Sequence, residues 1–318
     1  MMPSLIRSHT LEDETLKWLL EQAHQFARLQ QSNTPFVEKP LEGKTICTLF
    51  YEASTRTRLS FEMAAMNLGA RVLPFPVEQS SLNKGESLLD TVETLIALGV
   101  DALVLRHPQD GIHLALGAHT QGRIAILNAG DGMSDHPTQG LLDVLTLYQQ
   151  ANASFEALKQ LRLGIVGDLI HSRVVKATLT LAKQLGVEII LYAPDALAPS
   201  PETLTYWKND LGVKDSPQAL DLNAVLASVD VVMALRLQKE RLSATESAED
   251  LQALVQSVQI KAFHLAAFPQ LKLMHPGPVN WGVELEEAIQ GHPQSLISQQ
   301  VANGVAVRMA CLLWALDK

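Results

Sequence analysis

The sequence predicts an α/β protein built from two doubly wound parallel-sheet domains, with the active site in the cleft between them. Three observations carry that expectation. Short apolar runs alternate with segments of helical periodicity, the pattern of parallel strands covered by crossover helices. The alternation occurs twice, on either side of the polar bridge Ala151–Gln160. Polar and basic clusters repeatedly follow the strand candidates, where open α/β sheets bind their ligands.

The elements follow in order. A helix is expected over Leu11–Leu29. Strands are expected at Thr45–Tyr51, a β-branched and aromatic run, and at Arg71–Phe75, Ala102–Arg106 and Arg123–Asn128. Ser54–Leu68, Glu86–Leu98 and His107–Gly117 lie between them as helices; Leu88, Leu89, Val92 and Ile96 have helical spacing. A longer helix, Pro137–Gln150, precedes the polar bridge. The second set has strands at Leu161–Val166, Ile189–Tyr192, Val229–Leu235, Lys261–His264 and Lys272–Met274, with Ser172–Leu185 the clearest helix among them. A closing helix, Ser295–Ala315, carries Ile297, Val301, Val305, Met309 and Leu312. Met63 and Met66 read as core fillers rather than cofactor ligands.

Composition narrows the function. The chain has 318 residues, 47% of them hydrophobic, enough for about two domains with substantial cores. Its net charge is −9, from 25 Lys and Arg against 34 Asp and Glu, which argues against a nucleic-acid partner. An acidic chain that clusters arginines sets local positive potential against its global charge, as a small anionic substrate requires. Cys47 and Cys311 are far apart without ligand spacing, so both are expected to be reduced core residues. Arg308 interrupts the longest apolar stretch, Val301–Leu316, and no apolar segment precedes Glu12, Asp13 and Glu14. A cytoplasmic location without a membrane span is the expectation.

The most telling stretch is Ser54-Thr55-Arg56-Thr57-Arg58, between the first strand and a helix. First-turn amide groups of a helix favour anions. Helix starts ordinarily prefer acids to bases, so two arginines and three hydroxyls here point to a bound anion. Arg58 can instead pair with Glu62, four residues on. Further clusters follow strands at Arg106-His107-Pro108, Asp131–Gln139, Arg173, Arg236–Arg241 and His275-Pro276-Gly277-Pro278. His107 and His275, each before a proline, suit turns; His136 shares a helix face with Gln139. Gly164-Ile165-Val166-Gly167-Asp168 lacks the glycine pattern of a dinucleotide turn.

Together, Phe50–Glu62, Arg106-His107-Pro108, Asn128–Asp131 with His136-Pro137-Thr138-Gln139, and His275-Pro276-Gly277-Pro278 resemble the aspartate/ornithine carbamoyltransferases in order and spacing over essentially the whole chain. Ser80-Ser81-Leu82-Asn83-Lys84-Gly85-Glu86, Asp168 to Arg173 and Arg236–Arg241 resemble the aspartate branch; ornithine enzymes generally carry Cys in the His-x-x-Pro element and lack the lysine at Lys84. Trp281 stands where the family usually carries arginine. The resemblance implies that 1–148 with 293–318 bind carbamoyl phosphate, the C-terminal helix returning to the first domain, and that 149–292 bind aspartate. It implies that Ser54, Thr55, Arg56 and Thr57 hold the phosphate and that Arg106, His136 and Thr57 hydrogen-bond the carbonyl oxygen. Gln139 and the Pro276-Gly277-Pro278 backbone would hold the carbamoyl amide. Arg173, Arg236 and Gln238 would grip L-aspartate, and Lys84, with Ser80 or Ser81, would enter a neighbouring subunit's site in a homotrimer. Regulatory or dihydroorotase-like chains are possible partners. No cofactor or metal is implied, and the pathway would be pyrimidine biosynthesis. Ornithine or an N-acylated ornithine is the alternative acceptor.

The residues suit that reaction physically. Two strongly anionic substrates repel one another, and arginines offset the repulsion through bidentate bonds to phosphate and carboxylate. Attack by the amine builds charge on the carbonyl oxygen, where an oxyanion donor is worth about 10²–10³ in rate. Direct attack is expected, positioned by the protein and without a protein nucleophile.

Overall fold

The computed structural model describes residues 2–32, 34–80, 85–211, 213, 221–238 and 248–316. Its first sheet comprises β1 (Thr45–Phe50), β2 (Arg71–Phe75), β3 (Ala102–His107) and β4 (Ala125–Asp131), all parallel, in the order β2-β1-β3-β4. The second comprises β5 (Arg162–Val166), β6 (Glu188–Tyr192), β7 (Val231–Ala234) and β8 (Lys272–Met274), also parallel, in the order β6-β5-β7-β8. β4 and β7 are buried along their whole length, as expected of parallel strands covered on both faces. β2 lies at an edge, the position that tolerates Pro74, which has no amide to donate to a ladder.

The first set of helices is α1 (Asp13–Gln31), α2 (Thr55–Asn67), α3 (Leu88–Ala97), α4 (Ile112–Thr120) and α5 (Pro137–Gln150). The short α6 (Phe155–Leu158) lies in the polar bridge; α7 (Arg173–Gln184), α8 (Pro201–Leu211), α9 (Leu222–Ser228), α10 (Ala248–Val258), α11 (Ala262–Ala267) and α12 (Ile297–Leu316) follow. Two compact units result, Met1–Leu145 with Val301–Lys318, and Thr146–Gln300. In the first, Cys47, Leu49, Val92, Leu103, Leu116 and Ile126 pack one core beneath α3 and α4. In the second, Val225, Val232, Ile260, Leu265, Leu273 and Ile289 do the same. Each such side chain contributes about 1.5–3 kcal/mol by leaving water.

Three expectations need correction. Lys261–His264 is not a strand. The Lys261 amide donates to His264 Nδ1 at 3.0 Å and the Ala262 amide to Glu286 at 2.8 Å, so side chains take the groups a ladder would need, and α11 begins there. The helix expected over His107–Gly117 starts only at Ile112, because β3 runs on to His107. Met63 and Met66 do not fill the core: they are 47% and 52% exposed, and α2 buries Phe61, Ala64 and Ala65 instead.

No helix of the described residues is long and apolar enough to cross a membrane. Cys47 and Cys311 are free and buried, and burial pushes both thiols up to about 12. Because the thiolate is the reactive form, neither should label with iodoacetamide in the native protein, and both should label in denaturant; native labelling at either position would contradict this packing.

Candidate active site

The Ser54–Thr57 turn leaves the carboxyl end of β1. Ser54 is extended (φ −156°, ψ 90°), its side chain makes no capping hydrogen bond, and the first turn of α2 holds no acid. The first helical bond runs from the Arg58 amide to the Ser54 carbonyl, so the Thr55, Arg56 and Thr57 amides precede the helix's own ladder. Arg56 and Thr55 are exposed, whereas Thr57 is buried. Arg58 turns away and pairs with Glu62 at 2.8 Å.

Arg106 pairs in register with Phe50, which brings it to the same sheet edge, four residues from Ser54. It is only 8% exposed; Nη1 donates to the Ala129 carbonyl at 3.3 Å and Nε lies 3.3 Å from Glu52. Gly130 makes room for it. Its φ is +134°, and a Cβ there would lie 3.0 Å from Arg106 Nη1. His107 accepts the Gln109 amide at Nδ1 (3.0 Å), ordering its turn.

The loop from β4 to α5 carries His136, and the first turn of α5 carries Gln139; both are buried. Asp131 and Asp135 close it: the Asp131 amide donates to the Asp135 carbonyl at 3.0 Å. Gly132 (φ +50°) passes so close to the Pro108 carbonyl that a Cβ would lie 2.8 Å away. The fully buried Asp131 carboxylate faces His113 Nδ1 at 3.2 Å and Arg7 at 3.3 Å, and accepts the Gly111 amide at 3.0 Å. Burial alone would raise this carboxyl, but His113, Arg7 and the Gly111 amide outweigh it and hold the group below its ordinary value. Gln139 donates to Asp143 at 3.1 Å.

In the second unit, Arg173 opens α7. Ser172 at its cap position also makes no side-chain capping bond, and the first turn is again free of acids. Buried Asp168 holds this β5 loop and the segment after β7 together: it accepts the His171 amide at 3.1 Å and the Gln238 amide at 3.3 Å. Gln238 returns a bond to the His171 carbonyl at 2.7 Å, so its amide is engaged in joining the loops that carry Arg173 and Arg236. After β8 the Gly277 amide donates to His275 Nδ1 at 2.8 Å. That leaves the ring proton on Nε2, 3.2 Å from buried Glu284, which also accepts the Asn280 amide at 2.6 Å. Pro276-Gly277-Pro278, with a cis Gly277–Pro278 bond, is thus anchored from below. Trp281 packs its ring on the core of this unit.

The structure therefore brings Ser54, Thr55, Arg56, Thr57, Arg106, His136 and Gln139 to one edge of the first sheet. It brings Arg173, Arg236, Gln238 and Pro276-Gly277-Pro278 to the corresponding edge of the second. Lys84 and Ser81 lie outside the described residues, as do Lys239, Glu240 and Arg241; the Ser80 hydroxyl donates to the Val77 carbonyl at 2.7 Å. Supporting residues were missed by sequence reasoning. Arg308, noted only for interrupting an apolar run, is buried; it donates to Thr138 at 3.3 Å and to the Gly304 carbonyl at 2.9 Å, and lies 5.0 Å from the Phe61 ring centre. Burial pushes it down to about 10. A lone arginine among apolar residues at helical spacing was the available signal.

The first unit's sequence matches a family model described as the aspartate/ornithine carbamoyltransferase carbamoyl-P binding domain over residues 4–149. Residues 159–315, the second unit with most of the C-terminal helix, match the corresponding Asp/Orn binding domain. The chain belongs to the aspartate/ornithine carbamoyltransferase family. Among its relatives, the aspartate carbamoyltransferase catalytic subunit of Stenotrophomonas maltophilia (strain K279a) is 43% identical over 314 residues, covering 97% of this chain and 94% of the relative. That of Koribacter versatilis is 43% identical, covering 99% and 97%. A crystal structure of aspartate transcarbamoylase from Trypanosoma cruzi, in complex with carbamoyl aspartate and phosphate, matches with a TM-score of 0.83 and 32% identity, over 98% of this chain and 95% of that one.

A native Asp131 held below its ordinary value of 3.8 contributes stability that is complete above that pH and lost as pH falls through the lower native value. Asp131→Asn should flatten the acid limb of stability, read from urea midpoints between about pH 7 and about pH 3. An unchanged limb would show that the buried carboxylate is not what the acid titrates.

Proposed function

We propose that this chain transfers the carbamoyl group of carbamoyl phosphate to the amine of L-aspartate, giving N-carbamoyl-L-aspartate and phosphate, in pyrimidine biosynthesis. One observation carries the site assignment: an uncapped, arginine-bearing helix start leaves β1 beside Arg106 at the end of β3. Ser54, Thr55, Arg56 and Thr57 hold the phosphate. Arg106, His136 and the Thr57 hydroxyl donate to the carbonyl oxygen as it becomes an oxyanion. Gln139 and the backbone at Pro276, Gly277 and Pro278 hold the carbamoyl amide. Arg173 and Arg236 grip the carboxylates of aspartate; Gln238 keeps their two loops joined. The relative from Trypanosoma cruzi crystallised with N-(phosphonacetyl)-L-aspartic acid, which joins a phosphonate to an aspartate, supports one site for both anions.

The amine attacks the carbamoyl carbon, the C–O bond to phosphate breaks, and the amine's proton passes to a phosphate oxygen. No metal or cofactor is needed for these bonds to form and break. The rate comes from positioning and from charge placed ahead of the reaction. Two buried free thiols suit the cytoplasm.

The active assembly is a homotrimer in which Lys84 of one subunit serves the neighbouring site. An exposed apolar stripe on α2, Leu59, Met63 and Met66 at spacings of four and three, supports self-association.

Carbamoyl phosphate with L-aspartate should give product far faster than with L-ornithine; the reverse preference would overturn the acceptor. In the same assay Arg236→Ala should mainly raise KM for aspartate and Arg56→Ala mainly that for carbamoyl phosphate. Each loses a charge-assisted bond worth about 1.5–3 kcal/mol, a tenfold effect or more. Equal effects on both substrates in both variants would contradict the division. Mixed after subunit exchange, Lys84→Ala and Arg56→Ala chains should regain activity that neither has alone, and no recovery would count against a shared site.

A further inference from the structure

We propose that the N-terminal segment is part of the catalytic apparatus: Arg7 and Ser8 are positioning residues that fix the loop presenting His136. The inference rests on His136 being a donor to the carbonyl oxygen. Leu5 pairs in parallel with Leu127, its amide donating to Ile126 and its carbonyl accepting from Asn128, both at 2.9 Å. Those bonds cover the outer edge of β4, last in its sheet, and would need nothing further along the chain.

The segment nevertheless continues beyond the strand end with polar contacts. The Ser8 amide donates to Asp135 Oδ2 at 2.6 Å and its hydroxyl to Oδ1 at 2.8 Å. The same Oδ1 accepts the His136 amide at 2.8 Å, so one buried carboxylate joins the segment to the backbone of His136. Arg7 reaches the opposite end of the loop, with Nη2 3.3 Å from Asp131 and Nη1 donating to the Ser134 hydroxyl.

The loop needs such ties. Gly132 within it and Gly130 just before it at the end of β4, both at positive φ, give this stretch more unfolded freedom than any other residue type would. A donor that must be aimed at a developing charge cannot hold its aim on an untethered glycine-rich loop, and a misplacement of about 1 Å can cost about a hundredfold in rate. The buried Asp135 carboxylate, deprived of one donor, would also draw the loop out of register.

The test is a double-mutant cycle between Ser8 and His136, with kcat and both KM values measured for each variant. Ser8→Ala should lower kcat about tenfold while KM for aspartate stays within about twofold, since the loop does not serve aspartate binding. Asp135→Asn, which keeps the side chain's shape, should lose kcat in the same way, and Ser8→Thr should restore most of it. In a His136→Ala background the Ser8 substitution should cost little more, because the group it positions is gone. Full loss again in that background, or an unchanged kcat for Ser8→Ala and Asp135→Asn, would overturn the positioning role. Failure of the underlying reading would look different: His136→Ala itself would keep its activity.

Discussion

Serine caps helices in this chain where it is free to do so. Ser87 accepts the Asp90 amide at the start of α3 and Ser154 the Ala157 amide at the start of α6. Ser54 and Ser172 occupy the same position at α2 and α7, yet their hydroxyls make no such bond, and neither first turn contains an acid. An N-cap is typically worth about 1 kcal/mol, so two helices forgo a common source of stability at the two places where arginine enters a first turn. Both features run against the helix dipole in the free protein and with it once an anion arrives. The affinity for polyanions is built from what the fold leaves unmade.

The sheets explain why those places are where they are. Each has the same order, with the strand that starts its set lying second and the chain crossing to the other side after the edge strand. The reversal falls between β1 and β3 in one sheet and between β5 and β7 in the other, and adjacent loops diverge there at the carboxyl ends. α2 follows β1 and Arg106 is the last residue but one of β3; α7 follows β5 and Arg236 comes just after β7. The two halves of the chain have thus placed arginines in matching topological positions.

This architecture was legible because it is written in periodicity. All eight strands among the described residues overlap an apolar run expected to be a strand, and β6 and α7 differ from their expected limits by no more than one residue at either end. Lys261–His264 misled because four residues do not separate a strand from a helical turn, and the deciding contacts come from Glu286, distant in sequence. Met63 and Met66 misled because helical spacing identifies an apolar face without identifying what covers it. The Ser54–Arg58 turn was legible as crowded charge, whereas Lys84 and Arg173 stood out only through the family resemblance. The supporting roles were not legible: the burial of Asp135, Asp168 and Glu284, which fits them to hold backbone amides, appears only in the fold.

Those buried carboxylates share one physical role. Asp135 accepts the His136 amide, Asp168 the Gln238 amide and Glu284 the Asn280 amide, each using a charged acceptor to fix backbone in a loop carrying ligand candidates or beside one. A bond to a charged acceptor is worth about 1.5–3 kcal/mol, more than a neutral one, and a buried carboxylate cannot easily exchange its partner for water. A protein with a net charge of −9 therefore spreads its acids over two distinct tasks. Exposed ones set the global charge, while a few buried ones fix loop backbone through its amides. A carboxylate bound to backbone amides stiffens a loop without drawing on the guanidinium donors that phosphate and carboxylate would need.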